Sequence, residues 1–106
     1  MSYRYMRILL FFDLPINTSE EKREYSRFRK FLLRSGFVMM QESVYSKIIL
    51  NNTACQAILE NIRKNKTKKG LIQIITVTEK QFEKMEIVIG ESQTTIIDND
   101  NKLVII

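Results

Sequence analysis

Residues 8–12 read Ile-Leu-Leu-Phe-Phe, and residues 13–15 close that run with Asp-Leu-Pro. Five successive large apolar side chains cannot alternate between a core and water. In a strand they point to both faces of a sheet. The sequence therefore predicts a strand over residues 3–13 that is covered on both sides. Pro15 has no N–H to give to a ladder, so the strand ends before it.

A different period follows. Thr18 or Ser19 can cap a helix, Glu20 and Glu21 suit its first turn, and Thr18 with Glu21 fits a capping box. The helix is predicted to reach residue 35, with Gly36 at the C′ position. Tyr25, Phe28 and Leu32, with Phe31 beside them, form its apolar face. Residues 37–41 and 44–50 read as two strands joined by a tight turn at Glu42-Ser43. In the second of these, Val44, Ser46 and Ile48 share one face, and Tyr45, Lys47 and Ile49 share the other. Asn51 or Asn52 caps a second helix, with Ala54, Ala57, Ile58 and Ile62 as its stripe. After Gly70, residues 71–78 are rich in Ile, Val and Thr and read as a fourth strand.

The order β-α-β-β-α-β is the ferredoxin-like split pattern. It predicts an α+β fold, a four-stranded antiparallel sheet with two helices on one face. The other face also carries apolar residues and needs a cover. Further on, residues 78–85 predict a helical turn with Phe82 and Met85 inward, and residues 87–89 a brief strand. Residues 94–97 and 103–106 predict two more strands around a turn at 98–101. The final Leu-Val-Ile-Ile suits pairing within its own sheet or strand addition to another subunit. The expected organisation is a ferredoxin-like domain over residues 1–85. Residues 86–106 follow as a C-terminal strand segment that completes a dimer or meets a partner.

Composition removes several classes of function. A chain of 106 residues makes one domain. Histidine is absent, which excludes Ser-His-Asp and Cys-His mechanisms and every histidine-containing zinc site. Catalysis, if any, must run on carboxylates, lysine or a carboxylate-held metal. Cys55 is the one cysteine, so no internal disulfide forms. No apolar run approaches the ~20 residues of a membrane span, and residues 8–12 are too few for a signal-peptide core. The chain reads as cytoplasmic, without a membrane partner.

Lys and Arg number 17 against 12 Asp and Glu, for a net charge of +5. The distribution is uneven. Residues 22–34 hold Lys22, Arg23, Arg27, Arg29, Lys30 and Arg34 against Glu24 alone. Residues 63–69 hold Arg63, Lys64, Lys66, Lys68 and Lys69 with no acid. Each block carries +5, which leaves −5 for the rest. Arg23, Arg27, Lys30 and Arg34 are spaced 4, 3 and 4 apart and line up as one helical stripe. Such concentration is the footprint of a polyanion partner, although solvated helix and loop surfaces carry charge too. No aromatic residue interrupts Arg63 to Lys69, so stacking on single strands is not indicated.

Asp13 ends the apolar strand. Its ordinary role there is a turn carboxylate that accepts nearby N–H groups. One carboxylate makes a poor Mg²⁺ site, but a two-fold dimer would bring two copies together.

The segments Phe11-Phe12-Asp13-Leu14-Pro15, Gly36-Phe37, Gln41-Glu42-Ser43-Val44-Tyr45 and Thr76-Val77-Thr78-Glu79-Lys80-Gln81-Phe82, with Gly90 beyond them, occur in a particular order. Between the first two lie Arg23, Tyr25, Phe28, Arg29, Lys30, Phe31 and Leu32. Together these resemble the CRISPR-associated protein two family, the small non-integrase subunit of the spacer-acquisition machinery. The first and last segments look most like its type II branch, which accompanies a single large RNA-guided effector nuclease.

The resemblance implies a homodimer that bridges dimers of the integrase subunit and holds double-stranded DNA for insertion into the repeat array. It also implies, for some members, a Mg²⁺- or Mn²⁺-dependent endonuclease acting on single-stranded RNA or double-stranded DNA. Asp13 matches the metal-binding, catalytic aspartate of those members. Two functions are therefore carried forward. One is a structural adaptor that grips the duplex backbone with Arg23, Arg27, Lys30, Arg34, Arg63, Lys64, Lys66, Lys68 and Lys69. The other is a phosphodiesterase with Asp13 at its centre and Ser43 and Tyr45 as candidate orienting groups. A ferredoxin-like ligand-binding module is a third class, but no Gly-rich phosphate loop supports it.

Overall fold

The computed structural model describes residues 5–90. Strand β1 spans Met6–Asp13, helix α1 Ser19–Arg34, β2 Val38–Gln41, β3 Val44–Ile49, α2 Asn52–Lys64, β4 Leu71–Thr78 and α3 Glu79–Glu83. The sheet order is β2-β3-β1-β4, antiparallel throughout. This is the expected ferredoxin-like α+β fold, with β1 central.

Local chemistry sets the helix ends. At α1, the Glu21 N–H donates to Thr18 Oγ1 at 3.0 Å, and Glu21 Oε1 accepts from the Thr18 N–H at 3.1 Å. Both halves of the capping box are thus made. At the other end Gly36 has φ +92°. The Phe37 N–H reaches Leu32 O at 3.0 Å and the Gly36 N–H reaches Leu33 O at 3.1 Å. That is the Schellman arrangement, which satisfies carbonyls the helix leaves open. Asn51 caps α2, accepting from the Ala54 N–H at 2.7 Å.

The two sheet faces differ. Ile8, Leu10 and Phe12 turn into a core with Phe28, Phe31 and Leu32 of α1 and Cys55 and Ile62 of α2. Phe12 packs edge-on to Phe28 at 5.6 Å and stacks on Tyr45 at 5.7 Å. Along α2 the buried stripe includes Cys55, with Leu59 half-buried, while Ala57 is exposed. The larger side chains have taken the core positions.

The opposite face holds Leu9 and Phe11, with Val44, Ser46 and Ile48 of β3 and Leu71, Gln73 and Ile75 of β4 beside them. Phe11 is 38% exposed, Ile48 47%, Leu71 53% and Ile75 52%. The predicted cover on both sides is therefore only half supplied within the described chain. The apolar run satisfies the central position of β1 in the sheet, and one of its faces stays open.

Two other expectations change. Met85 is exposed rather than inward, because α3 ends at Glu83 and the chain leaves the sheet. Residues 87–89 form no strand. Their backbone has no neighbouring strand among the described residues, and an extended segment needs one to take its hydrogen bonds. The predicted strands at 94–97 and 103–106 lie outside the described residues, as does most of the C-terminal segment 86–106.

Candidate functional site

The sheet end where β1 stops collects the residues of interest. Asp13 pairs with Leu71 at the start of β4. The Phe12 N–H donates to Ser43 O at 3.1 Å, which holds the β2–β3 turn alongside. Gly70, with φ +98°, lets the loop from α2 pass close over this point. A Cβ there would lie 2.7 Å from Asp13 O and 2.6 Å from Leu14 Cδ2. The end of the loop that carries the second basic segment is thus pinned against the Asp13 backbone carbonyl and Leu14, though 57 positions separate Asp13 from Gly70 in the chain.

The helix stripe forms as expected. Lys22, Arg23, Ser26, Arg27, Lys30 and Arg34 line one open groove on α1, together with Glu24. Arg23, Lys30 and Arg34 are exposed, with no ion-pair partner among the described residues. Arg27 behaves differently from these three. Its Nε and Nη2 each donate to a Glu24 oxygen at 3.1 Å, and Nη2 also donates to Asn65 O at 3.2 Å. Asn65 is the C-cap of α2. Arg27 therefore ties the stripe to the second basic block. Its hydrogen bond holds the Glu24 carboxyl below its ordinary value, against the opposing effect of burial.

The second block is also partly engaged. Arg63 pairs with Glu60 at 3.3 Å, and Lys69 with Glu21 at 3.5 Å. Lys66 Nζ donates to Arg63 O at 3.2 Å. Glu21 is held below its ordinary value, chiefly by the backbone N–H groups of Thr18 and Asn17 and less by Lys69. Lys64 and Lys68 carry exposed charge without an ion-pair partner among the described residues. All nine predicted cations lie on α1, α2 or the loop after α2, the helical side of the molecule.

Asp13 is exposed and lies in register with Leu9 and Phe11 on the open sheet face. It borders a groove with Lys22, Tyr25, Ser26, Glu42 and Ser43. Among the described residues no group of three or more His, Cys, Asp or Glu side chains could hold a metal ion. One chain thus provides Asp13 with Glu42 on the same groove, short of a full ligand set for a hard cation. Of the two orienting candidates, Ser43 lines the groove, but Tyr45 does not serve. It is 1% exposed and stacked on Phe12, because its strand position faces the helices.

Residues 6–85 match the family model described as CRISPR associated protein Cas2. The chain belongs to the Cas2 family. It is 52% identical over 101 residues to a Treponema denticola protein named CRISPR-associated endoribonuclease Cas2, covering 95% of this chain and 100% of that one. A Streptococcus mutans serotype c protein of the same name is 50% identical over 99 residues, covering 93% of this chain and 91% of that one. A solved structure titled "Crystal structure of cas2" superposes with a TM-score of 0.56 at 16% identity, over 85% of this chain and 92% of that one. That likeness concerns the fold alone. The Cas2 match takes in β1 through α3, and so includes Asp13 and both basic segments.

One arrangement in this Cas2 chain gave no sequence signal. Arg7 donates to Glu79 Oε2 at 2.6 Å and Oε1 at 2.9 Å, reaches Ser46 Oγ at 3.4 Å, and lies 3.9 Å from the Phe82 ring centre. The contact closes 72 positions of chain, beyond any local spacing rule. It fastens α3 over one end of the open sheet face. No helix among the described residues is long and apolar enough to cross a membrane.

Proposed function

We propose that two copies of this chain pair through the open sheet face, and that the dimer is a DNA-binding adaptor of CRISPR spacer acquisition. The observation that carries this reading is the uncovered apolar face. Leu9, Phe11, Ile48, Leu71 and Ile75 share this face across three strands, with Ser46 and Gln73 among them, and exposed apolar surface gathered on a small domain marks an interface. A second copy would give the apolar run of β1 the cover it lacks. Both helical surfaces would then face outward and double the cationic track. In this reading residues 1–85 are the folded unit, and residues 86–106 reach the neighbouring subunit or the integrase subunit that the dimer bridges. The setting is the cytoplasm, in a type II system.

Phosphate contacts of this kind position a duplex without reading its sequence. Affinity for a short duplex should fall steeply with salt, by roughly 0.9 log units per log unit of salt for each phosphate contact. Affinities measured from low to moderate salt test this. A nearly flat dependence, or strong preference among unrelated duplexes, would refute it.

A second reading has its own support. Asp13 shares the open face with Leu9 and Phe11, so pairing of two copies would draw both Asp13 carboxylates towards one axis. The relatives' name, endoribonuclease, agrees with a nuclease that cuts single-stranded RNA, or double-stranded DNA, with Mg²⁺ or Mn²⁺. Asp13 of both copies would hold the ion, which when bound supplies charge stabilisation at phosphate and a water of lowered pKa. The chain's own part is to keep Asp13 exposed and to hold the substrate backbone on the adjoining cations. Asp13→Ala should abolish metal-stimulated cleavage without weakening duplex binding in chelator. Metal-stimulated cleavage that survives the substitution would remove Asp13 from that role.

A further inference from the structure

The α1 groove and the Asp13 groove are not separate. Lys22 and Ser26 line both. They are one helical turn apart, at i and i+4, and so project side by side from α1. Both are exposed, and Lys22 has no ion-pair partner among the described residues. On the Asp13 groove Lys22 is the one cation among the described residues, and it shares that groove with the carboxyl groups of Asp13 and Glu42.

We propose that Lys22 and Ser26 form a phosphate subsite that leads a duplex backbone from the α1 track to Asp13. This rests on the DNA-binding reading above and adds the path the backbone takes. The chemistry requires such a group. A phosphate approaching Asp13 and Glu42 meets two like charges, and exposed cations elsewhere on α1 do not border that groove. The Lys22 ammonium offsets the repulsion where it arises. The Ser26 hydroxyl offers a second donor on the same side. Arg27, one position further on, is held by Glu24 and Asn65 and is not free to do this.

The test is binding of a fluorescent short DNA duplex to the full chain in chelator, so that no metal bridges phosphate and Asp13. Lys22→Met should weaken binding roughly twofold to fivefold, as for one exposed charge contact. It should also reduce the salt slope by roughly 0.9. Asp13→Asn should strengthen binding by a similar factor, because it removes a like charge beside the phosphate. The loss from Lys22→Met should persist in the Asp13→Asn background. If it vanishes there, Lys22 only neutralises Asp13 and the subsite is wrong. If Lys22→Met and Asp13→Asn are silent while Arg23→Ala and Lys30→Ala weaken binding, the duplex stays on α1 and this inference fails alone. If all four are silent, the DNA-binding reading fails with it. Lys84→Met, outside both grooves, is the control for loss of one positive charge.

Discussion

Ile75→Asp tests whether the open sheet face is an interface. Ile75 lies on β4 opposite Leu9 and is 52% exposed in the single chain. Complete burial of an isoleucine side chain is worth about 1.5–3 kcal/mol, so covering the remaining half contributes about 1 kcal/mol. A two-fold interface counts the residue twice, giving about 2 kcal/mol lost on truncation. Aspartate also takes a carboxylate into an apolar contact from each side. Desolvation then adds about 3 kcal/mol or more unless the groups protonate. The sum of about 5 kcal/mol raises the dimer dissociation constant about a thousandfold or more. Within the single chain the same change is mild. The site is already half in water, and the loss of strand preference is about 1 kcal/mol at most. Sedimentation over a range of concentrations reads the first effect, and circular dichroism with thermal melting at low concentration reads the second. A variant that remains dimeric at micromolar concentration, or an unmutated chain that never dimerises, would refute the reasoning. A variant that fails to fold would instead show that Ile75 belongs to the core of one subunit.

Glu79→Gln addresses the clasp that holds α3. The Arg7 hydrogen bond holds the Glu79 carboxyl below its ordinary 4.5, against burial. A depressed folded value means stability that is present above about pH 4.5 and lost as pH falls through the folded value. With side chains 16% and 19% exposed, the pair contributes about 1–2 kcal/mol after screening. Urea melts should show that loss for Glu79→Gln at pH 7 and a shallower acid dependence below pH 4.5. Identical acid profiles would contradict it. Gly70→Ala should destabilise the chain by about 2 kcal/mol, because a side chain at φ +98° would collide with Asp13 O and Leu14. It should also speed amide exchange in residues 65–70, and unchanged stability would mean that the loop does not press on Asp13.

Much of the fold was readable from one-dimensional pattern. The capping box at Thr18 and Glu21, Gly36 beyond α1, and Asn51 before α2 act over three or four residues. Spacing alone therefore places the helix ends to within a residue. The alternation of Tyr45, Lys47 and Ile49 against Val44, Ser46 and Ile48 also held, because side-chain direction in a strand has a period of two. Residues 87–89 show the limit. Three β-branched residues prefer an extended backbone, yet a strand exists only where another strand accepts its hydrogen bonds.

The site divides in the same way. The sequence by itself determined that positive charge gathers in two blocks, that one block forms a helical stripe, and that Asp13 follows a buried strand. Periodicity and composition carry those properties wherever the chain goes. Arg27 with Glu24 and Arg63 with Glu60 are i,i+3 pairs within single helices, but only the tertiary structure decided that Lys69 reaches Glu21 and Arg27 reaches Asn65, while Arg23, Lys30 and Arg34 stay open. It alone buried Tyr45, set Lys22 on the Asp13 groove, and brought Arg7 to Glu79. Electrostatic pairing depends on distances of a few ångströms between side chains, and the packing of α1 and α2 on the sheet sets most of those distances.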